Sequence, residues 1–223
     1  MDPVLVEVMR GARVESAHRG AAIVVDAAGK VVFSAGDVDL PIYPRSAVKA
    51  LLALPMVEGG AASRLGLTDA EIALACSSHS GEADHVATAT SMLAKAGRDV
   101  SCLECGIHWP SYDGAARALA VAGQQPSALH NNCSGKHSGF ICLACDRGDD
   151  PKGYINPGHP TMKVITAALA EMTSTTLDDS NMAVDGCSIP TFAMPLRALA
   201  LGFARFGSGQ GMAADRAAAA RRI

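Results

Sequence analysis

The chain has 223 residues, 49% of them hydrophobic and only 4% aromatic, and 19 Lys and Arg against 22 Asp and Glu give a formal charge of −3. That length suffices for one sizeable core, and abundant Ala and Gly with few aromatics point to closely packed helices rather than an aromatic-rich β-sandwich. With no long basic run, nucleic acid and anionic membrane are poor partners, and a small neutral substrate fits better.

The opening MDPVLVEVMRG lacks the basic-then-apolar order of a signal peptide, and no apolar run approaches the ~20 residues of a membrane span. Seven cysteines, an odd number, argue for reduced thiols and a cytoplasmic setting rather than a disulfide framework. Residues 4–38 read as antiparallel strands: VLVEV alternates apolar and polar residues, and two β-rich runs flank a DAAGK turn in which Gly29 is able to take positive φ. After Pro41 and Pro44, SAVKALLALPMVEGG has helical spacing from about Ser46. TDAEIALAC carries a capping box from Thr68 to Glu71, and GEADHVATATSMLAKAG reads as a helix closing at Gly97. Further helices are expected within HWPSYDGAARALAVAGQQP, in the apolar run that follows the glycines of SGKHSGFICLACDRGDD, where the second motif reads as a loop feeding a buried helix, and in HPTMKVITAALAEMTS and MPLRALALGFARF, with a short strand or extended loop in DDSNMAVDGCSIPTF.

Three polar segments, CSSHSGE (76–82), NNCSGKHSGF (131–140) and DGCSIPTFAMP (185–195), fall between these elements. Small hydroxyl and thiol residues beside glycines fill a core badly and leave polar atoms to satisfy, so such segments build sites more readily than cores. Ser46-Ala47-Val48-Lys49 places a hydroxyl and an amine one turn apart, where a desolvated lysine beside a cation such as Arg45 can take the serine proton. Ser77, Ser78, His79 and Ser80 precede Gly81, which allows close backbone approach and N–H groups for an oxyanion; the plainer reading is a helix N-cap with Glu82 inside the first turn. Cys133 with His137, joined by Cys187, is a possible metal set. The pairs Cys102/Cys105 and Cys142/Cys145 are too far apart for a zinc ribbon, and Cys142 lies in an apolar helical run where packed core is the better reading.

Taken together, YPRSAVK, ALACSSHSGE, NNCSGKHSGF and DGCSIPTFAMPL resemble the L-asparaginase II family, the rhizobial-type (class 3) asparaginases, in the family's order over nearly the whole chain. The resemblance implies an α+β fold like that of serine β-lactamases and glutaminases, an antiparallel sheet packed on a helical lobe. It implies hydrolysis of L-asparagine to L-aspartate and ammonia, with Ser46 and Lys49 as the S-x-x-K pair, Ser46 favoured as nucleophile, and Ser78 as the second catalytic serine. It further implies zinc at Cys133, Lys136 and Cys187, with Lys136 in place of His137, tuning substrate binding rather than supplying the nucleophile, and a homodimer. Arg45, His79 and Asp185 are the expected substrate-binding residues. Against the family pattern, residues 1–223 read as a single domain that is C-terminally incomplete, without the later strands and the second lysine that would partner Ser78. The alternatives are a glutaminase or other small-amide hydrolase, and a zinc- or ligand-binding module without catalysis.

Overall fold

The computed structural model describes residues 2–223, a mixture of helices and short antiparallel strands. Strands β1 (Val4–Arg10) and β2 (Arg13–Arg19) form a hairpin turning at Gly11, whose φ of 61° suits glycine. Strands β3 (Ala22–Val25) and β4 (Val31–Ala35) form a second hairpin in which Gly29 has φ 81° and Asp26 Oδ1 accepts the N–H groups of Ala28 and Lys30. Strand β5 (Pro41–Ile42) pairs with β8 (Met194–Pro195), and β6 (Met182–Val184) with β7 (Pro190–Phe192).

The strands therefore make four two-stranded ribbons where one antiparallel sheet is the expectation from sequence. Pro41, Pro190 and Pro195 lack the N–H a further neighbour would need, and two- or three-residue strands present too few groups to extend a ladder. The β5–β8 ribbon nevertheless joins the N-terminal segment to the distant third motif, beside the start of the first helix.

A 3₁₀ turn (Arg45–Val48) leads into α1 (Lys49–Glu58), followed by α2 (Ala61–Arg64), α3 (Asp69–Ala75), α4 (Ala83–Lys95), α5 (Asp113–Val121), α6 (Ser134–Arg147), α7 (Pro160–Thr173), α8 (Leu196–Ser208) and α9 (Ala214–Arg222). The Thr68–Glu71 capping box forms as the sequence predicts, with Thr68 Oγ1 accepting the Glu71 N–H and Glu71 Oε2 accepting the Thr68 N–H. Helix α6 is the hub, packed against α1, α2, α3, α4 and α7 and buried from Ser134 to Ala144. A helix enclosed on all sides needs small residues where neighbours come closest, and Gly135 and Gly139 supply them. A Cβ on Gly135 would meet Leu74, including its backbone carbonyl carbon at 2.8 Å, and one on Gly139 would press on the Ala75 methyl at 3.2 Å. These glycines of the second motif thus serve packing, and packing fixes the height at which Cys133, Lys136 and His137 enter the interior. Arg216 on α9 binds Glu58 of α1 through Nε and Nη2 at 2.6 and 2.8 Å and also pairs with Glu171 of α7. Among the described residues no helix is long and apolar enough to cross a membrane.

Candidate functional site

The site is assembled where the start of α1, the 76–82 loop, the N-terminus of α6 and the 185–189 turn converge. Arg45 adopts φ 47°, a left-handed conformation unusual for a side-chain-bearing residue, and Ser188 adopts φ 75° in the facing turn. Such strain persists only where the surroundings hold it, and it gathers at sites. Ser46 lies within the 3₁₀ turn and is exposed, and Lys49, three residues on, opens α1 and is buried.

Lys49 is buried, and its Nζ donates to the Ser77 carbonyl and to Ser78 Oγ, both at 2.7 Å. Burial lowers its pKa, opposed by the nearby Cys133 thiol and reinforced by Lys136. Ser78 is exposed beside this amine and opens onto a groove of about 520 Å³ lined by Ser77, His79, Ser80, Asp84 and His85. Ser46 is exposed too, and among the described residues its side chain makes no hydrogen bond. The structure therefore brings Lys49 to Ser78, 29 residues away, more closely than to the serine of its own turn.

Behind Lys49 lies a thiol–amine cluster. Cys133 and Cys187 are buried together, and Lys136 Nζ donates to Cys187 Sγ at 3.0 Å. The neighbouring Cys187 thiol, with the Lys136 and Lys49 amines, overcomes burial and holds Cys133 at about 5, whereas Cys187, whose Sγ lies 3.8 Å from Asp185 Oδ2, is shifted up beside Cys133. Burial instead pushes Cys76 and Cys105 up to about 11 and Cys142 to about 12. Unlike these three, the Cys133 thiol of the second motif is thus poised as a thiolate, the form that binds metals. All seven cysteines are free, and Cys142 is packed in the core with its thiol on the Met92 carbonyl, as its apolar run implies. Among the described residues no three His, Cys, Asp or Glu side chains cluster at metal-binding distance, so a cation here would rely on two thiols and the Lys136 amine. That donor set fits zinc once the lysine is deprotonated.

Arg45 and Asp185 meet across 140 residues: Nε and Nη2 each lie 2.8 Å from Asp185 Oδ1. The Gly186 N–H also donates to that oxygen at 2.9 Å, and these bonds keep the Asp185 carboxyl below its ordinary range against the opposing effect of burial. A recess beneath them, walled by Val48, Phe140, Ile165 and Phe192, holds only about 20 Å³, room for about one water.

His79 stands differently from a substrate-facing group. It is buried, its Nδ1 accepts the Gly81 N–H at 3.1 Å, and its Nε2 therefore carries the proton and donates to Ser134 Oγ at 2.8 Å. Both nitrogens are occupied, so in this arrangement His79 ties the Ser78 loop to the start of α6. The same bond withdraws the Gly81 N–H from any oxyanion role. Glu82 is itself the residue before α4, its N–H donating to His85 Nδ1 at 3.2 Å. Sequence reasoning missed the Ser77 carbonyl as a lysine partner and Tyr154 at the back of the cluster. Neither carries a local signal, since both act through contacts between distant segments.

The family model described as L-asparaginase II matches residues 6–223, essentially the whole chain and all three motifs. No curated protein matches the chain.

Proposed function

Because the chain belongs to the L-asparaginase II family, we propose that it hydrolyses the side-chain amide of L-asparagine to L-aspartate and ammonia by serine–lysine chemistry. The observation that carries this reading is the buried, pKa-lowered Lys49 with Nζ 2.7 Å from Ser78 Oγ at an open groove. An amine whose hold on its proton is weakened by burial, beside an exposed hydroxyl, is placed to serve as a general base.

Ser46, one turn before Lys49, attacks the amide carbon. As its Oγ–C bond forms, its proton passes to Lys49, directly or through the Ser78 hydroxyl. The lysine then returns the proton to the departing nitrogen, the C–N bond breaks, and ammonia leaves an acyl-enzyme ester. Water, deprotonated by the same amine, cleaves the ester and restores the serine. Arg45 and Asp185 suit the two ends of an α-amino acid: the substrate carboxylate takes the guanidinium and its ammonium takes the carboxylate, exchanging one ion pair for two.

Cys133, Lys136 and Cys187 would hold zinc, whose charge tunes substrate binding from behind Lys49 when the ion is bound. The fold that accompanies this reading is the serine β-lactamase and glutaminase type, supported by the mixed helical and antiparallel architecture. A cytoplasmic homodimer belongs to the same reading, supported by seven free thiols and by the exposed apolar side chains of β1–β4, among them Leu5, Val6, Val32 and Phe33.

Ser78 is the second reading for the nucleophile, because of the two serine hydroxyls its own is the one hydrogen-bonded to the lysine. Rapid acid quench during turnover of L-asparagine, followed by peptide mass mapping, separates the two. An aspartyl adduct is expected on the peptide holding Ser46; an adduct on Ser78 reverses the serines, and ammonia release with an adduct on neither contradicts acyl-enzyme chemistry.

A further inference from the structure

His137, one turn beyond Cys133 on α6 and wholly buried, has no part in the serine–lysine reading. Its Nδ1 lies 2.6 Å from Tyr154 Oη. Tyr154 is equally buried, and its oxygen accepts the Glu104 N–H at 3.0 Å. The Gly153 N–H in turn donates to Glu104 Oε1 at 2.7 Å, so the two segments clamp the phenol from both sides.

A phenol has one proton to give, and burial raises Tyr154 far above its ordinary value, so it keeps that proton. With Glu104 N–H already on its oxygen, the acceptor within reach is His137 Nδ1. The reverse bond, from an Nδ1–H to the phenol oxygen, would leave the hydroxyl proton without an acceptor in a dry interior, which folded chains avoid. The imidazole proton then resides on Nε2. That nitrogen is buried without a hydrogen-bond partner, and the Cys187 thiol is close enough to influence the imidazole.

We propose that Tyr154 fixes His137 in its Nε2–H tautomer, making the imidazole a standing hydrogen-bond donor to the Cys187 sulfur rather than a metal ligand. A proton on Nε2 occupies the lone pair that a cation would use. Lys136, the preceding residue of α6, already donates to that sulfur at 3.0 Å, so a His137 donor would act beside it. His137 and Tyr154 are thus positioning residues for the thiol pair, and their consequence for metal affinity rests on the zinc reading given above. An outer donor of this kind typically changes metal affinity about 10- to 100-fold.

The tautomer is read directly by nitrogen NMR of metal-free protein labelled with ¹⁵N-histidine, and zinc affinity by chelator competition. In wild type His137 is expected to carry its proton on Nε2, and in Tyr154→Phe this preference is lost. His137→Ala should bind zinc about 10- to 100-fold more weakly, with His137→Gln, which retains an N–H donor, recovering part of the loss. With Co²⁺ as probe, His137→Gln should leave the ligand-field bands in place. An Nδ1–H proton in wild type, an unaltered tautomer in Tyr154→Phe, or displaced Co²⁺ bands in His137→Gln would overturn the proposal. Failure of wild type to bind zinc, with the tautomer as expected, would remove the metal reading and leave the Tyr154–His137 assignment standing.

Discussion

Replacing Lys49 with Met separates the two reasons for which a buried lysine could be kept. Methionine matches the length of the aliphatic stem and removes only the amine. The amine makes two hydrogen bonds, to the Ser77 carbonyl and to Ser78 Oγ, and their loss costs about 1 kcal/mol each at partners that water can reach. Against this, the substitution relieves the desolvation that lowers the lysine pKa, a gain of about 1.4 kcal/mol for every tenfold weakening of the amine's hold on its proton. The opposing contributions leave stability changed by no more than about 1–2 kcal/mol, or a few degrees in Tm for a chain of this size. Loss of a general base, by contrast, slows turnover by about 10²- to 10⁴-fold. Ammonia release and thermal unfolding measured on the same preparation decide between the roles. Activity should vanish while Tm moves little, and the double variant with Ser78→Ala should be no slower than the worse single variant, because the two groups act as a unit. Turnover within about threefold of wild type in a folded Lys49→Met protein, far short of the loss of a base, would refute the reasoning.

Gly135→Ala should destabilise the chain by about 1–3 kcal/mol despite the better helix propensity of alanine, because the new methyl meets the Leu74 backbone, which cannot rotate away; a Tm at or above wild type would contradict the close α3–α6 packing. Arg45→Gln should raise KM for L-asparagine by roughly 10- to 100-fold, the worth of a charge-assisted bond, with little change in Tm because the guanidinium is largely exposed; an unchanged KM would remove Arg45 from the substrate site. Burial, with positive neighbours, holds His79 at about 4 against 6.5 when unfolded. The unfolded chain therefore binds more protons between those values, and stability is lost as pH falls from 6.5 to 4, by at most about 3 kcal/mol before solvent screening. His137 adds a loss of the same sign, so the measurement compares chemical denaturation of wild type and His79→Gln at about pH 7 and about pH 4.5, and an equal acid loss in both would place the effect elsewhere.

Much of the local structure was legible because it is set by neighbours in sequence. The Gly29 turn, the Thr68–Glu71 cap and the helix after CSSHSGE all follow from rules spanning four or five residues. The site was legible as a set of residues rather than as a set of pairs. Spacing puts Lys49 beside Ser46, but the bond to Ser78 depends on α3 and α6 packing tightly enough to bring the 76–82 loop over the start of α1. His79 illustrates the same limit: its chemistry suggests a substrate contact, and only the fold reveals that Gly81 and Ser134 already occupy both nitrogens. The expectation of one sheet failed where the strands are two or three residues long and rich in proline, a matter of hydrogen-bonding capacity that apolar alternation does not report. His137 and Lys136, rivals for one role on sequence grounds, have different partners in the fold: Lys136 donates to the Cys187 sulfur, whereas His137 is bonded to Tyr154.

The most direct test of the central claim is release of ammonia and L-aspartate from L-asparagine by the wild-type chain beside Ser46→Ala. The account predicts equal molar amounts of both products from wild type and no release above background from the variant. Undiminished turnover in Ser46→Ala would contradict it.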